Sequence, residues 1–219
     1  MAYELPLFPL NTVLFPGMPL TLHIFEERYK EMIGHCLQHE AAFGVVLIRR
    51  GVEAMGPAEP YLIGCTAEIV QVQQLLGGRM NILAMGKERF RILSLHEEHP
   101  FLTGMVVNFP LVADETQTAK RAGRRLQPWL KEYVTLLSEA GDVEFDTGKL
   151  PDEPYALAYL AAAVLQVPNT QKQELLATPD TAALLCDMRL LYRRELPLLR
   201  AMLRHGERVP SGPGSFSLS

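Results

Sequence analysis

Residues 5–29 read LPLFPLNTVLFPGMPLTLHIFEERY, and this stretch decides the fold. Pro6 and Pro9 cannot donate to a sheet ladder, so residues 5–10 are expected as an edge strand or an extended lead-in. Phe15-Pro16-Gly17 is turn chemistry, because proline presets φ and glycine reaches positive φ without steric cost. Residues 19–25 then alternate, with Leu20, Leu22 and Ile24 on one face and Thr21 and His23 on the other. From Phe25 the period changes. Phe25, Tyr29, Met32, Ile33, Cys36 and Leu37 fall on one helical stripe, and Glu26 and Glu27 sit in the first turn, where carboxylates suit the helix dipole. One strand, one tight turn, a second strand and an amphipathic helix are therefore expected within the first 37 residues.

Working outward, residues 42–48 form a short apolar run that suits a buried strand, and residues 51–60 are a loop rich in glycine and proline. Residues 63–75 alternate with Cys65, Ala67 and Ile69 in phase and Val70 and Val72 out of phase. A one-residue slip inside a long strand signals a bulge or bend. Gly77-Gly78 is a hairpin turn, residues 79–95 are the return strand, and residues 101–109 are a further strand. Long strands joined by tight turns favour a bent antiparallel sheet or a small barrel.

After a polar joint at 113–118 the pattern becomes helical. Residues 119–140 are a helix, 142–154 a polar loop, 155–167 a helix apolar nearly all round, and 170–177 a short helix. Thr178 as N-cap and Pro179 at N1 are expected to open a long helix striped by Leu184, Leu185, Met188, Leu191 and Tyr192. Pro197 is expected to kink it and Gly206 to end it. The fold class is α+β: a β-rich domain over 1–112, an all-α bundle over 113–206 and a loose tail over 207–219.

The motifs PLFPL, VLFPG and IFEERY resemble the opening of the Lon N-terminal domain, the substrate-recognition region of ATP-dependent Lon proteases. Residues 63–69, IGCTAEI, are similar to that family's G-x-x-A-x-I strand. Residues 86–92, GKERFRI, are similar to its G-x-x-R-F-x-I strand, and residues 171–176 are a weaker echo. The resemblance spans roughly residues 4–205 and implies a PUA-like bent antiparallel sheet or pseudo-barrel with one helix, followed by a helical bundle. It carries over to Pro9, Pro16, Gly17, Phe25, Glu26, Glu27, Arg28, Tyr29, Gly64, Gly86 and Arg89. These are read first as structural. Glu26 or Glu27 is expected to pair with Arg28 or Arg89, and Gly64 and Gly86 to permit bends or close backbone approach.

The chain has 219 residues, 48% of them apolar, and a formal charge of −4, so a real core is expected and no global basic signature for nucleic acid is present. The clusters Arg121/Arg124/Arg125 and Arg189/Arg193/Arg194 read as solvated helix faces. Cys36, Cys65 and Cys186 are odd in number and show no C-x-x-C, which argues against a disulfide framework and a zinc site and favours a cytoplasmic protein. No signal peptide and no membrane span are expected.

Candidate chemistry is sparse. His35 and His39 are spaced i, i+4, but the zincin pattern needs glutamate directly after the first histidine, and Cys36 stands there. His96-Glu-Glu-His99 reads as a solvated turn. The phosphate cradles G-x-x-x-x-G-K-[ST] and G-x-G-x-x-G are absent, as is G-x-S-x-G. No catalytic residue, metal ligand or cofactor is assigned. Full-length Lon proteases carry an ATPase module and a Ser–Lys protease module after this region; no proteolysis of that kind is expected from these residues.

The leading expectation is a non-enzymatic module that binds unfolded polypeptide or a protein partner in a groove between sheet and bundle, with Phe8, Phe15 and Met18 as exposed apolar contacts. It would use an open strand edge or an apolar patch. It could serve as an adaptor to a separate ATP-dependent protease, and it could form homo-oligomers. The alternatives are an RNA-binding PUA-like protein, disfavoured by the acidic charge, and a small-ligand module.

Overall fold

A computed structural model describes residues 1–50, 59–112, 116–139 and 150–204. The chain divides into two compact units, Met1–Pro110 and Leu111–Ser219. Among the described residues the first holds seven strands: β1 (Ala2–Leu10), β2 (Pro19–Ile24), β3 (Phe43–Arg50), β4 (Glu59–Pro60), β5 (Ile63–Gln74), β6 (Met80–His96) and β7 (Thr103–Asn108). One helix, α1 (Glu27–Gln38), follows β2. Pairings run β1–β7–β6–β5–β3 and return from β3 to β1, so five strands close into a ring. All are antiparallel except β1–β3. The architecture is the expected α+β one, a PUA-like pseudo-barrel with one helix and a separate helical unit.

β1 is not an edge strand. Ala2 to Pro6 pair with β7, and Leu7 to Leu10 pair with β3. Each half thus carries a strand on one side, which accommodates Pro6 and Pro9 without breaking a two-sided ladder. The turn after it is as expected. Met18 N–H donates to Phe15 O at 3.0 Å, and Gly17 sits at φ 79°, the arrangement of a type II turn.

The barrel core gathers Leu5, Leu7, Val46, Phe90, Ile92 and Val106. Its packing depends on missing side chains. A Cβ on Gly64 would lie 2.5 Å from Val45 O and 2.6 Å from Phe90 Cζ, and one on Gly44 would lie 2.7 Å from the same ring atom. Cys65 and Ala67 stand in phase within β5, and the register slips between Ile69 and Gln71, the bulge the alternation announced.

Helix α1 buries Tyr29, Met32, Ile33 and Cys36, with the Tyr29 ring stacked on Phe8 at 4.0 Å. Two residues of the expected stripe fall outside it. Phe25 is 59% exposed because the helix starts at Glu27 and Phe25 belongs to the connection after β2; Leu37, in the last turn, is 37% exposed.

The second unit holds α2 (Gln117–Glu139), α3 (Pro154–Val164), α4 (Asn169–Ala177) and α5 (Thr181–Arg204). α2 and α5 bury Leu126, Leu130, Tyr133, Leu184, Leu185, Met188 and Tyr192. Three polar side chains converge on the C-terminal end of α3. Tyr192 Oη donates to Ala161 O at 2.7 Å, Tyr133 Oη accepts from Gln166 N at 3.1 Å, and Lys172 Nζ reaches Ala163 O at 3.5 Å. The long helix opens differently from the expectation. Thr178 ends α4, and Asp180 Oδ1 accepts the Ala183 N–H at 2.8 Å, so Asp180 supplies the cap. α5 runs on through Pro197. Gly206, the tail over 207–219 and most of the loops at 51–60 and 142–154 lie outside the described residues.

Candidate functional site

The site follows from where β6 changes partners. Its first half, Met80 to Met85, lies between β2 and β5; its second half pairs with β7. The change occurs at Gly86. Gly17 N–H donates to Gly86 O at 2.8 Å and Gly86 N–H to Met18 O at 2.9 Å, and a Cβ on Gly86 would run into Phe15 O. The Pro16-Gly17 turn is thereby seated on β6, and β2 is aimed along its first half. The result is a three-stranded wing, β2–β6–β5, extending from the closed ring.

Among the described residues both outer edges of this wing lack a strand partner. β2 pairs with β6 alone, and β3 covers β5 only from Cys65 to Ala67. Backbone groups alternate sides along an antiparallel strand. The Gly86 N–H to Met18 O bond turns Leu20, Leu22 and Ile24 toward β6, so the amides and carbonyls of Thr21 and His23 face outward. On the other edge, Leu75 N–H donates to Arg79 O at 2.8 Å, which leaves Val72 and Gln74 facing outward. A polar line crosses one face of the wing: His23 Nδ1 lies 2.7 Å from Asn81 Oδ1, and Asn81 Nδ2 donates to Gln73 Oε1 at 3.1 Å. Exposed Phe25, Val70 and Leu76 lie at its borders.

The residues singled out from sequence are placed otherwise. Phe8, Phe15 and Met18 are buried at 5%, 0% and 8% exposure, so none is the exposed apolar contact expected of it. The proline-rich entry segment buries all three, since Phe8 stacks beneath Tyr29 and the Pro16-Gly17 turn folds Phe15 and Met18 against β6. Pro9 is buried opposite Val46, and Pro16 is half-buried. Glu26 pairs with Arg28 at 2.8 Å, and the Arg28 guanidinium covers the Tyr29 ring at 4.4 Å; Glu27 pairs with Lys30. Arg89 is buried with its guanidinium over Phe109 at 4.8 Å. The wing itself was missed as a site. Its trace in the sequence is the phase slip at Val70, which announces a bulge or bend but not an open edge.

Among the described residues no catalytic constellation stands out. Burial pushes the Cys36 thiol up to about 11 and the Cys65 thiol up to about 12, which keeps both protonated and unreactive at neutral pH. The His35 and His39 rings stack at 4.3 Å, and no group of three metal-ligating side chains occurs among the described residues. No described helix is long and apolar enough to cross a membrane.

Residues 4–188 match the model of the ATP-dependent protease La (LON) substrate-binding domain. The chain belongs to that family. Relatives include Lon protease 2 of Myxococcus xanthus, 29% identical over 202 residues, which cover 90% of this chain and 24% of that protein. The Lon protease of Anaeromyxobacter dehalogenans is 28% identical over 200 residues, with the same shares. The chain thus spans about a quarter of the length of these Lon proteases. Its fold is that of the N-terminal domain of Mycobacterium avium complex Lon protease, at TM-score 0.67 and 20% identity over 87% of this chain and 98% of that one. The Lon N-terminal domain protein from Xanthomonas campestris gives TM-score 0.58 and 24% identity over 84% and 95%.

Proposed function

We propose that this chain is a non-catalytic receptor for unfolded polypeptide, which it binds by adding an extended segment to an open edge of the β2–β6–β5 wing. The observation that supports this most directly is the pair of unpartnered strand edges in a Lon substrate-binding domain. Backbone hydrogen bonds at Thr21 and His23, or at Val72 and Gln74, do not depend on the sequence of the added strand, so one edge serves many clients. Exposed Phe25 and Val70 offer apolar contact to alternate side chains of the guest. Bringing clients to a separate ATP-driven protease in the cytosol is the cellular role this reading implies. The unbridged Cys36, Cys65 and Cys186 fit a reducing compartment.

The test is fluorescence anisotropy with a labelled, permanently unfolded protein and with unrelated extended peptides. Wild type is expected to bind in the micromolar range. Thr21→Pro and Val72→Pro each remove an outward-facing N–H while sparing the ladder to β6. The edge in use is identified by the variant that weakens binding about tenfold, equal to 1.4 kcal/mol. No binding by wild type, or wild-type affinity in the double proline variant, defeats the proposal. Co-purification of an identified ATP-dependent protease with the tagged chain tests the adaptor role.

A further inference from the structure

The first two turns of α2 carry Lys120, Arg121, Arg124 and Arg125, all exposed. Their spacing, i, i+1, i+4 and i+5, places them in two adjacent rows on one side of the helix. None of the four makes an ion pair or side-chain hydrogen bond with another described residue. Lys87, Arg194 and Arg200, also exposed, do: Lys87 lies on Glu68, Arg194 on Glu195 and Gln171, and Arg200 on Glu132. Lys120 also stands in the first turn of α2, which has no acidic residue, where a cation opposes the macrodipole. In a chain of net charge −4 this concentration of positive charge is not a by-product of composition. One turn further on, the rows end in exposed Pro128 and half-buried Trp129, the only tryptophan of the chain.

We propose that this ridge of α2 is a docking site for a short acidic polypeptide segment, whose carboxylates lie on Arg121, Arg124 and Arg125 and whose neighbouring apolar side chain lies on Trp129. Arginine forks match carboxylates with two parallel hydrogen bonds. Extent selects a peptide over a nucleic acid. The four cations occupy roughly 8 Å of helix axis, at 1.5 Å per residue. Past Trp129 the rows reach Lys131, then Glu132, which Arg200 already holds, and Glu139, so the run of positive charge does not continue, and two or three carboxylates in a short segment fit the ridge. The site is built wholly from α2 and shares no residue with the strand edges of the wing.

The experiment measures anisotropy of the whole chain with a labelled twelve-residue peptide bearing alternating Asp and Glu around one Phe. Its Asn/Gln counterpart and a single-stranded oligonucleotide of similar length are the comparisons. The expected result is tighter binding of the acidic peptide than of its Asn/Gln counterpart, a difference that shrinks steeply as salt rises, whereas strand addition acts on both peptides alike. The triple variant R121E/R124E/R125E is expected to lose about tenfold or more in affinity, and R121K/R124K/R125K to lose less, because lysine keeps the charge but not the fork. Circular dichroism confirms that both variants stay folded. The quantity read is the difference between the acidic and the Asn/Gln peptide, from which any strand addition common to both drops out, and this separates the result from the fate of the strand-edge proposal. Equal binding of the Asn/Gln peptide, tighter binding of the oligonucleotide, or wild-type affinity in the charge-reversed variant overturns the assignment.

Discussion

Glycine has opposite consequences in the two units. In the β-rich unit the core closes around places where no side chain fits: the Phe90 ring occupies the space a Cβ would need at both Gly44 and Gly64, and the Phe15 carbonyl occupies it at Gly86. In the helical unit, Gly123 of α2 is buried, yet a Cβ there would meet Leu157 at 3.4 Å and Leu185 at 4.0 Å, which is ordinary contact. A barrel of closely approaching backbones requires its glycines. A helix packed through side chains tolerates one and loses helix propensity by keeping it.

Gly64→Ala tests the first half of that contrast and carries the largest expected effect. The new methyl meets backbone at Val45 O, which cannot swing aside as a side chain would. A loss of about 3 kcal/mol is expected, at the upper end of overpacking costs. Urea denaturation monitored on the β signal reads it. A loss below about 1 kcal/mol would mean the barrel yields as freely as the bundle, and the contrast would fail.

Gly123→Ala tests the second half and should act in the opposite direction. Alanine is favoured over glycine in a helix interior by about 1 kcal/mol, and here no backbone atom stands in its way. The melting temperature of the helical unit should rise by a few degrees. A fall instead would show that α2 and α3 approach as closely as the strands do.

The glycine requirement was half legible in the sequence. Gly64 and Gly86 sit inside strand-patterned segments, where glycine is otherwise disfavoured, so a close approach could be expected. What approaches them could not, because Phe90 comes from another strand and Phe15 from the turn before β2. The same limit explains Phe8, Phe15 and Met18. A proline-rich segment looks too irregular to bury every apolar side chain, but β1 pairs on alternate sides with β7 and β3, and the turn at Gly17 presses its neighbours onto β6. The helical stripes of α1 and α5 were legible because periodicity is local. Phe25 was misplaced because the strand and helix periods overlap at that residue. The open edges of the wing were invisible, since an edge is defined by a strand that is absent from one side.

The helical unit has its own counterpart to the barrel's crowded glycines, a buried ammonium. Lys172 is 8% exposed, reaches Ala163 O at 3.5 Å, and burial lowers its pKa from the usual 10.5. Its charged form is therefore less favourable in the folded chain than in the unfolded one. Between the lowered pKa and 10.5 the unfolded state holds more protons, so stability gained from this group rises with pH across that window. Lys172→Met removes the group and keeps the apolar stem. The variant is expected to match or exceed wild-type stability at neutral pH, and the gap should close as pH rises toward 10. Tyr133, pushed up to about 12, and Tyr192, raised well above its usual value by burial, act oppositely: unfolded tyrosines ionise first, which costs stability above pH 10. Both proteins share that loss, so it cancels in their difference. A difference between wild type and Lys172→Met that stays flat with pH would show that the lysine titrates alike in both states, and that the C-terminal end of α3 holds its ammonium as well as water does.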